Sequence, residues 1–353
     1  MPTFPVLERV AYLNAGTFGP LAQETADAMA GQARLELEHG RSGEAYFESL
    51  LRLRASVRAQ IAELLGVGED RVALTASTTN ACHVVLSGLD LAPDDEVVTT
   101  DEEHFGLLGP LHVSGAVVRV APTRALPADE ALATILAEVG PRTRLIALSH
   151  VSWVTGNVLP VEQIKEETGL PVLVDGAQSA GAIRVDVGAA DFYTVSGQKW
   201  LCGPDATGAL YVRDPESLSV ALPTYFSRET HDADGTFSPR AGAARFDTGP
   251  VPSPSLAGLD TALRIAPPDR YDAARAVAGR CRELLAEGFE VVTGPGQATL
   301  VTFRPRGDAK EAVARLYDAG VVVREIPGTG WVRVSCGYWN TEEHIGRLAD
   351  TLA

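Results

Sequence analysis

The stretch Asp191–Pro204, DFYTVSGQKWLCGP, contains the residue on which the fold prediction depends. Phe, Tyr, Thr and Val form strands readily, so residues 191–196 predict a short buried strand that Gly197 ends. Lys199 follows among apolar neighbours, although an ammonium group is costly to desolvate unless it is paired or used chemically. A desolvated lysine is the residue that forms Schiff bases with carbonyl compounds, including pyridoxal phosphate (PLP).

A second apolar stretch, PVLVD, predicts a strand that ends at Asp175. The carboxyl ends of strands carry ligand sites in a parallel sheet covered by helices, so we expect Asp175 and Lys199 at one edge. An aspartate that keeps the pyridine nitrogen protonated lets PLP act as an electron sink. The commoner role of such an aspartate is to cap a loop. The other two lysines of the chain, Lys165 and Lys310, lie in polar, helix-like runs typical of solvated faces.

Composition indicates a globular enzyme without a nucleic-acid or lipid surface. The 353 residues are 45% hydrophobic and 22% charged, enough for one large domain and a smaller one. The net charge of −16 argues against contact with nucleic acid or with anionic membranes. Four scattered cysteines form no metal-binding pattern and predict reduced thiols in the cytoplasm. No signal peptide and no transmembrane helix are expected.

Three further segments predict parts of a ligand site at strand ends. Residues 12–20, YLNAGTFGP, predict a strand and a glycine-rich turn that a ligand can approach closely, or a plain N-terminal loop. The cluster TASTTNA predicts a helix N-terminus that binds phosphate, or an ordinary cap. The segment DEEHFG offers an aromatic ring that can stack on a flat cofactor. These segments contain Asn14, Ser77, Thr78, Thr79 and His104.

Strands that alternate with helices predict a mainly parallel α/β sheet. Residues 225–242 are polar and glycine-rich, and we expect a mobile or subunit-contacting loop there. The segments after residue 269 alternate between helix and strand patterns and predict a small α+β unit.

In this order and spacing, the motifs resemble those of class V aminotransferases, the PLP-dependent family that includes cysteine desulfurases. The resemblance rests on VLVDGAQSAG and SGQKW, with SHVSWVTGNVLPV, ASTTNA, EEHFG and WVRVS in support. It implies an α/β fold of type I, with a mainly parallel seven-stranded sheet, helices on both faces and a small α+β C-terminal domain. We expect the large PLP-binding domain over 17–256, the small domain over 1–16 and 257–353, and a homodimer.

The resemblance also implies a role for each matching residue. Lys199 forms the Schiff base and moves the Cα proton, and Asp175 pairs with the pyridine nitrogen. The substrate-binding residues are Arg333, which grips the substrate carboxylate, together with Asn14 and Trp153. The remaining cofactor contacts come from Gln178 at the phenolate oxygen, His104 on the ring, and Ser77, Thr78, Thr79, Ser196 and Gln198 at the phosphate.

The sequence departs from the pattern of this family at several places near the expected site. Gln198 stands where many relatives have histidine, and Trp153 stands where desulfurases have asparagine. Gly249-Pro250 replaces a Gly-Thr pair whose threonine reaches the neighbouring subunit's phosphate, which leaves that contact open.

The sequence does not decide which type of reaction the protein catalyses. No cysteine precedes Arg333 in VVVREIPGTGWVRVS, which argues against a persulfide-forming desulfurase. We expect an aminotransferase that acts on an amino acid. A C–S or C–Se lyase without a catalytic cysteine is the alternative, followed by racemisation. A non-catalytic protein that binds PLP or a partner is the alternative of another class.

Overall fold

A computed structural model describes all 353 residues of the chain, which form fifteen strands and ten α-helices. The strands are β1 Ala11–Tyr12, β2 Val72–Thr75, β3 Glu96–Thr100, β4 Val117–Ala121, β5 Thr143–Ser149, β6 Val172–Asp175, β7 Phe192–Ser196, β8 Gly208–Val212, β9 Arg228–His231, β10 Phe237–Pro239, β11 Glu290–Val291, β12 Leu300–Arg304, β13 Val321–Val322, β14 Arg324–Ile326 and β15 Trp331–Ser335. The helices are α1 Gln23–His39, α2 Glu44–Leu65, α3 Thr78–Gly88, α4 Phe105–Val113, α5 Ala128–Ala137, α6 Val161–Thr168, α7 Ser253–Ile265, α8 Arg270–Ala286, α9 Ala309–Asp318 and α10 Glu342–Leu352. None of these helices combines the length and the apolar character that crossing a membrane requires.

Seven strands form the central sheet in the order β2-β8-β7-β6-β5-β3-β4. All neighbours are parallel except β8, which runs antiparallel to both β2 and β7. Both faces are covered, because Ile146 and Val174 belong to one apolar cluster while Leu145 and Leu173 belong to the other. The predicted mainly parallel α/β sheet is therefore confirmed, and the PVLVD and DFYTVS strands lie side by side within it.

A four-stranded antiparallel sheet, β11-β12-β15-β14, forms the small C-terminal unit with α8, α9 and α10. The N-terminal strand joins this unit, because Ala11 pairs in parallel with Val321. We accordingly propose 17–256 as the large domain, with 1–16 and 257–353 as the small one.

A buried ion-pair cluster fixes α2 to the edge of the central sheet. The Asp247 carboxylate accepts hydrogen bonds of 2.7 Å from Arg54 and Arg58, and one of 2.8 Å from the Leu74 N–H. Arg54 and Asp247 are both almost fully buried. Losing one partner of such a cluster leaves an uncompensated buried charge.

The polar segment 225–242 differs from the expected loop, because it forms the antiparallel hairpin β9–β10. Gly235, at φ +91°, supplies the left-handed residue of its turn, and the Asp232 N–H donates to the Thr236 carbonyl. The side chains of both strands are largely exposed, so no apolar alternation marked them as strands in the sequence.

Candidate functional site

Asp175 is a buried carboxylate at the carboxyl end of β6. It is 3% exposed, and its Oδ1 accepts hydrogen bonds from the Ala177 N–H (2.9 Å) and the Thr194 hydroxyl (3.1 Å). Thr194 is its register partner on β7, the strand that leads to Lys199. No protein donor binds Oδ2, so one oxygen is fixed and the other remains available to a ligand.

Lys199 lies in the turn that follows β7, at the same edge of the sheet. Burial lowers the pKa of its amine to about 8, with the Asp175 charge raising that pKa and the charges of Arg333 and Arg324 lowering it. The turn packs against the N-terminal segment, where the Gly19 N–H donates to the Gln198 carbonyl. A Cβ on Gly19 would lie 2.0 Å from the Lys199 carbonyl oxygen, so only glycine permits this contact. The turn therefore places an amine with a lowered pKa within electrostatic reach of Asp175.

His104 caps α4 and offers its ring to the same site. Its Nδ1 accepts from the Gly106 N–H at 3.0 Å, so the neutral ring carries its proton on Nε2. Partial desolvation, followed by the Lys199 charge, lowers the pKa of this imidazole, although the residue keeps one exposed side. The Trp153 ring meets it edge to face, with centroids 5.3 Å apart and planes at 88°. Trp153 thus fixes one side of the ring.

The residues expected to bind phosphate come together around Gly208. This glycine pairs with Thr75 on β2 and with Ser196 on β7, so the ends of those strands converge. Ser77 caps α3 by accepting a hydrogen bond from the Asn80 N–H. Thr78 and Thr79, in the first turn of α3, keep backbone N–H groups without a partner and add two hydroxyls next to the cap. The Ser196 hydroxyl donates to Gln198 Oε1 at 2.8 Å, so the Gln198 amide N–H groups remain as donors.

Gln178 is held with its amide in a defined orientation. Its Oε1 accepts from the Trp200 indole N–H at 3.0 Å, and its Nε2 donates to the Gly16 carbonyl at 2.9 Å. The second N–H of Nε2 has no protein acceptor. The amide can therefore donate to an anionic oxygen next to Asp175.

Two arginines that no carboxylate neutralises face the site from the four-stranded C-terminal sheet. Arg333 is fully buried and donates to the Trp153 carbonyl at 2.9 Å, while its Nε has no partner. Burial and the charge of Arg324 lower the pKa of its guanidinium to about 9. Thr17 Oγ1 accepts from Arg324 at 3.1 Å and from Arg333 at 3.5 Å, and donates to Asn14 Oδ1 at 2.9 Å.

Sequence reasoning missed Arg324 and Thr17. Arg324 is the register partner of Arg333 on β14, and its guanidinium lies 5.7 Å from the Trp153 ring centroid. The hairpin pairing of VVVREI with WVRVS was the signal that could have revealed it. Asn14, expected at the substrate, accepts a hydrogen bond from Thr17 and orients its hydroxyl, and its contact with substrate stays a prediction.

The donor set fits pyridoxal phosphate. A free carboxylate oxygen suits the ring nitrogen, a donor amide suits the phenolate, and neutral hydroxyl and N–H donors at the start of α3 suit the phosphate. The amine of Lys199, with its lowered pKa, suits the aldehyde.

Comparison with known proteins agrees with this geometry. The chain is 31% identical to the isopenicillin N epimerase of Streptomyces clavuligerus over 97% of its length and 94% of that protein. It is 32% identical to a probable cysteine desulfurase of Pseudomonas aeruginosa over 85% of its length and 82% of that protein. The cystine C–S lyase C-DES, solved with its reaction product cysteine persulfide, is 29% identical and superimposes with a TM-score of 0.91 over 99% of both chains.

A C-DES variant with glycine covalently linked to its PLP cofactor superimposes equally well, at a TM-score of 0.91 over 99% of this chain and 98% of that one. Residues 13–348 match the family model described as aminotransferase class-V. The chain therefore uses pyridoxal phosphate, has the type I fold, and belongs to the class V aminotransferase family.

Proposed function

We propose that this enzyme acts at the α-carbon of an amino acid that carries a second negative group, and that it cleaves a bond from the β-carbon to sulfur by elimination. The observation that carries the proposal is the pair of unneutralised arginines facing the amine of Lys199. When bound, pyridoxal phosphate supplies an electron sink for the charge that develops at the α-carbon.

The residues of the chain then have separate tasks. Asp175 Oδ2 holds the ring nitrogen, and Gln178 donates to the phenolate oxygen. Lys199 takes the proton from the α-carbon, because an amine whose pKa lies near 8 is partly unprotonated at neutral pH. His104 covers the ring and excludes water from that face, in an orientation supported by its contact with Trp153.

The arginines supply substrate specificity. Arg333 is buried, fork-shaped and lacks a counter-ion, which suits a bidentate contact with an α-carboxylate. Arg324 adds a second guanidinium on the same side of Trp153. Two adjacent cations repel each other, so a substrate with two anionic groups gains more in this site than one with a single carboxylate.

Elimination without a protein thiol is supported by the positions of the cysteines. All four are buried, and Cys336, which follows β15, packs inside the small-domain core with Cys281. In elimination, Lys199 removes the α-proton, the C–S bond breaks, and the sulfur departs with the bonding electrons. Water then releases the carbon skeleton as pyruvate and ammonia, so no cysteine of the protein is needed.

Amino transfer, the expectation from sequence, stays a prediction and is the second candidate, because a lysine placed at the α-carbon can also return the proton to the cofactor side. The experiment mixes the PLP-loaded enzyme with cystine and other amino acids. Stoichiometric pyruvate with persulfide supports elimination, whereas an oxo acid with pyridoxamine phosphate supports amino transfer. A Lys199→Ala variant that keeps full turnover would overturn the catalytic role of Lys199 in either reaction, and a wild-type protein without turnover would favour the non-catalytic alternative.

We also propose a homodimer in a reducing compartment, the cytoplasm. Phe105, next to His104, is 78% exposed, and Tyr225 and Leu37 are likewise exposed, which favours a covering partner. The four unpaired thiols suit a reducing environment.

A further inference from the structure

Glu103, between β3 and His104, is a buried carboxyl group without a cation. It is 6% exposed, and its three hydrogen-bond donors are all neutral. Thr100 Oγ1 binds Oε1 at 2.7 Å, while Ser149 binds Oε2 through its hydroxyl at 2.6 Å and its N–H at 2.9 Å. A buried carboxylate that lacks a cation is held only by such bonds, so its charge is costly.

These partners accommodate both protonation states of Glu103. The Ser149 N–H always donates, which keeps Oε2 an acceptor. The Thr100 hydroxyl can either donate or accept, so a proton on Oε1 finds an acceptor there after one hydroxyl rotation. Burial, together with the charge of Asp175, raises the pKa of Glu103 to about 7, while these hydrogen bonds act in the opposite direction. The group therefore changes charge near neutral pH.

Glu103 stands beside the carboxylate that holds the cofactor. Ser149, which carries two of its hydrogen bonds, is the register partner of Asp175 on the adjacent strand. Burial, followed by the charges of Asp175 and Glu103, raises the pKa of the Cys82 thiol on α3, so this thiol stays neutral. Glu102 points elsewhere, toward the Thr155 hydroxyl and the Ala125 N–H. Every protein group that donates a hydrogen bond to Glu103 or to Asp175 is neutral.

We propose that Glu103 is a positioning residue of the cofactor site: the proton that it holds or releases beside Ser149 sets the negative charge facing Asp175 and the ring nitrogen bound there. This inference rests on the proposed function, because it concerns the group that Asp175 binds. An ionised Glu103 favours the protonated ring, and a neutral Glu103 weakens that preference.

The spacing of strands in the central sheet gives the size of the pKa shift that Glu103 can cause. Neighbouring strands lie about 4.8 Å apart, and Glu103 follows β3, which is two strands from β6, so its carboxyl group lies within roughly 10 Å of Asp175. One unit charge at roughly 10 Å in the protein interior shifts a pKa by about one unit. Glu103→Gln mimics the neutral form, because its amide can donate to Thr100 and its oxygen can accept from Ser149.

The test follows the absorbance of bound pyridoxal phosphate against pH in wild type, E103Q and the control E102Q, which neutralises the neighbouring acid. We expect the pH midpoint of the absorbance change to fall by about one unit in E103Q and by a smaller amount in E102Q. An unchanged midpoint in E103Q, or an equal shift in E102Q, overturns the proposal. Should E103Q fail to fold, S149A replaces it, since losing one hydrogen bond favours the protonated acid and lowers the midpoint likewise.

A second measurement, the stability of the protein in urea, needs no cofactor. The raised pKa of Glu103 stabilises the folded chain at low pH, and that stabilisation is lost as pH rises through about 7. The urea midpoint of apo E103Q should therefore rise relative to wild type from about pH 5 to about pH 8. If the difference between the urea midpoints of apo E103Q and apo wild type does not change with pH, Glu103 does not titrate in this range. A wild type that takes up no PLP instead refutes the proposed function, even where this apo difference appears.

Discussion

Replacing Arg324 by glutamine separates recognition of a second anionic group from the chemistry at the α-carbon. The change removes one guanidinium from the pair and leaves Arg333 with its bond to the Trp153 carbonyl. Thr17 keeps its contacts with Arg333 and with Asn14, so the N-terminal segment stays in place. We therefore expect a change in substrate binding with little change in folding.

The magnitude follows from the lost contact. A hydrogen bond to a charged group contributes about 1.5–3 kcal/mol, which corresponds to roughly 10- to 100-fold in KM for a substrate with two carboxylates. For a substrate with one carboxylate, held by Arg333, the KM should change by less than about threefold. Removing Arg324 also removes a charge that lowers the pKa of Lys199, so that pKa should rise.

The assay compares the fold change in kcat and KM that R324Q causes with cystine and with S-methylcysteine; both are cleaved at a Cβ–S bond, and only cystine carries a second carboxylate. Arg324→Lys is the matched variant, because it keeps the positive charge and loses the forked donor; we expect intermediate KM values. Equal losses with both substrates would refute the assignment of Arg324 to the second anionic group, and so would an R324Q enzyme indistinguishable from wild type.

The remaining predictions concern the amine, the buried ion pairs and the subunit state. The Lys199 amine of the apo protein should react with an amine reagent with a midpoint near pH 8, and Asp175→Asn should lower that midpoint, as read by peptide mass spectrometry. Asp247→Asn should lower the free energy of unfolding by about 3–5 kcal/mol, and Arg52→Ala, which breaks an exposed pair, by less than about 1 kcal/mol, both measured in urea. Light scattering should give twice the 37.3 kDa chain mass, and Phe105→Asp should shift the protein toward monomer.

The sheet and its ligand edge could be predicted because the relevant signals are local. Apolar runs that end in Asp175 or precede Lys199 report strands buried on both faces, and the direction of parallel strands then places both side chains at one edge. The same reasoning placed the start of α3 at that edge. These inferences need only the residues of each strand and the rule for their direction.

Contacts between distant segments were not predictable in this way. Arg324 became part of the site only through its register with Arg333, and Glu103 only through Ser149, which lies 46 residues further along the chain. The hairpin of residues 228–239 was not predicted, because its exposed side chains show no alternation of apolar and polar residues. In each case either the contacting residue lies far along the sequence or the side chains face solvent. The spacing of apolar residues reveals neither of these.

The N-terminal segment explains why the substrate site needs both units of the chain. The Gly16 N–H donates to the Ser335 hydroxyl on β15, while the Gly16 carbonyl accepts from Gln178 in the large unit. A Cβ on Gly16 would lie 2.7 Å from an Arg333 nitrogen, so the absence of a side chain keeps the arginine in reach of the site. One residue thus links β15, the strand that carries Arg333, to the amide of Gln178. A substitution there would move the arginines relative to Lys199, and the α-carboxylate and the α-proton could then no longer be placed correctly at the same time.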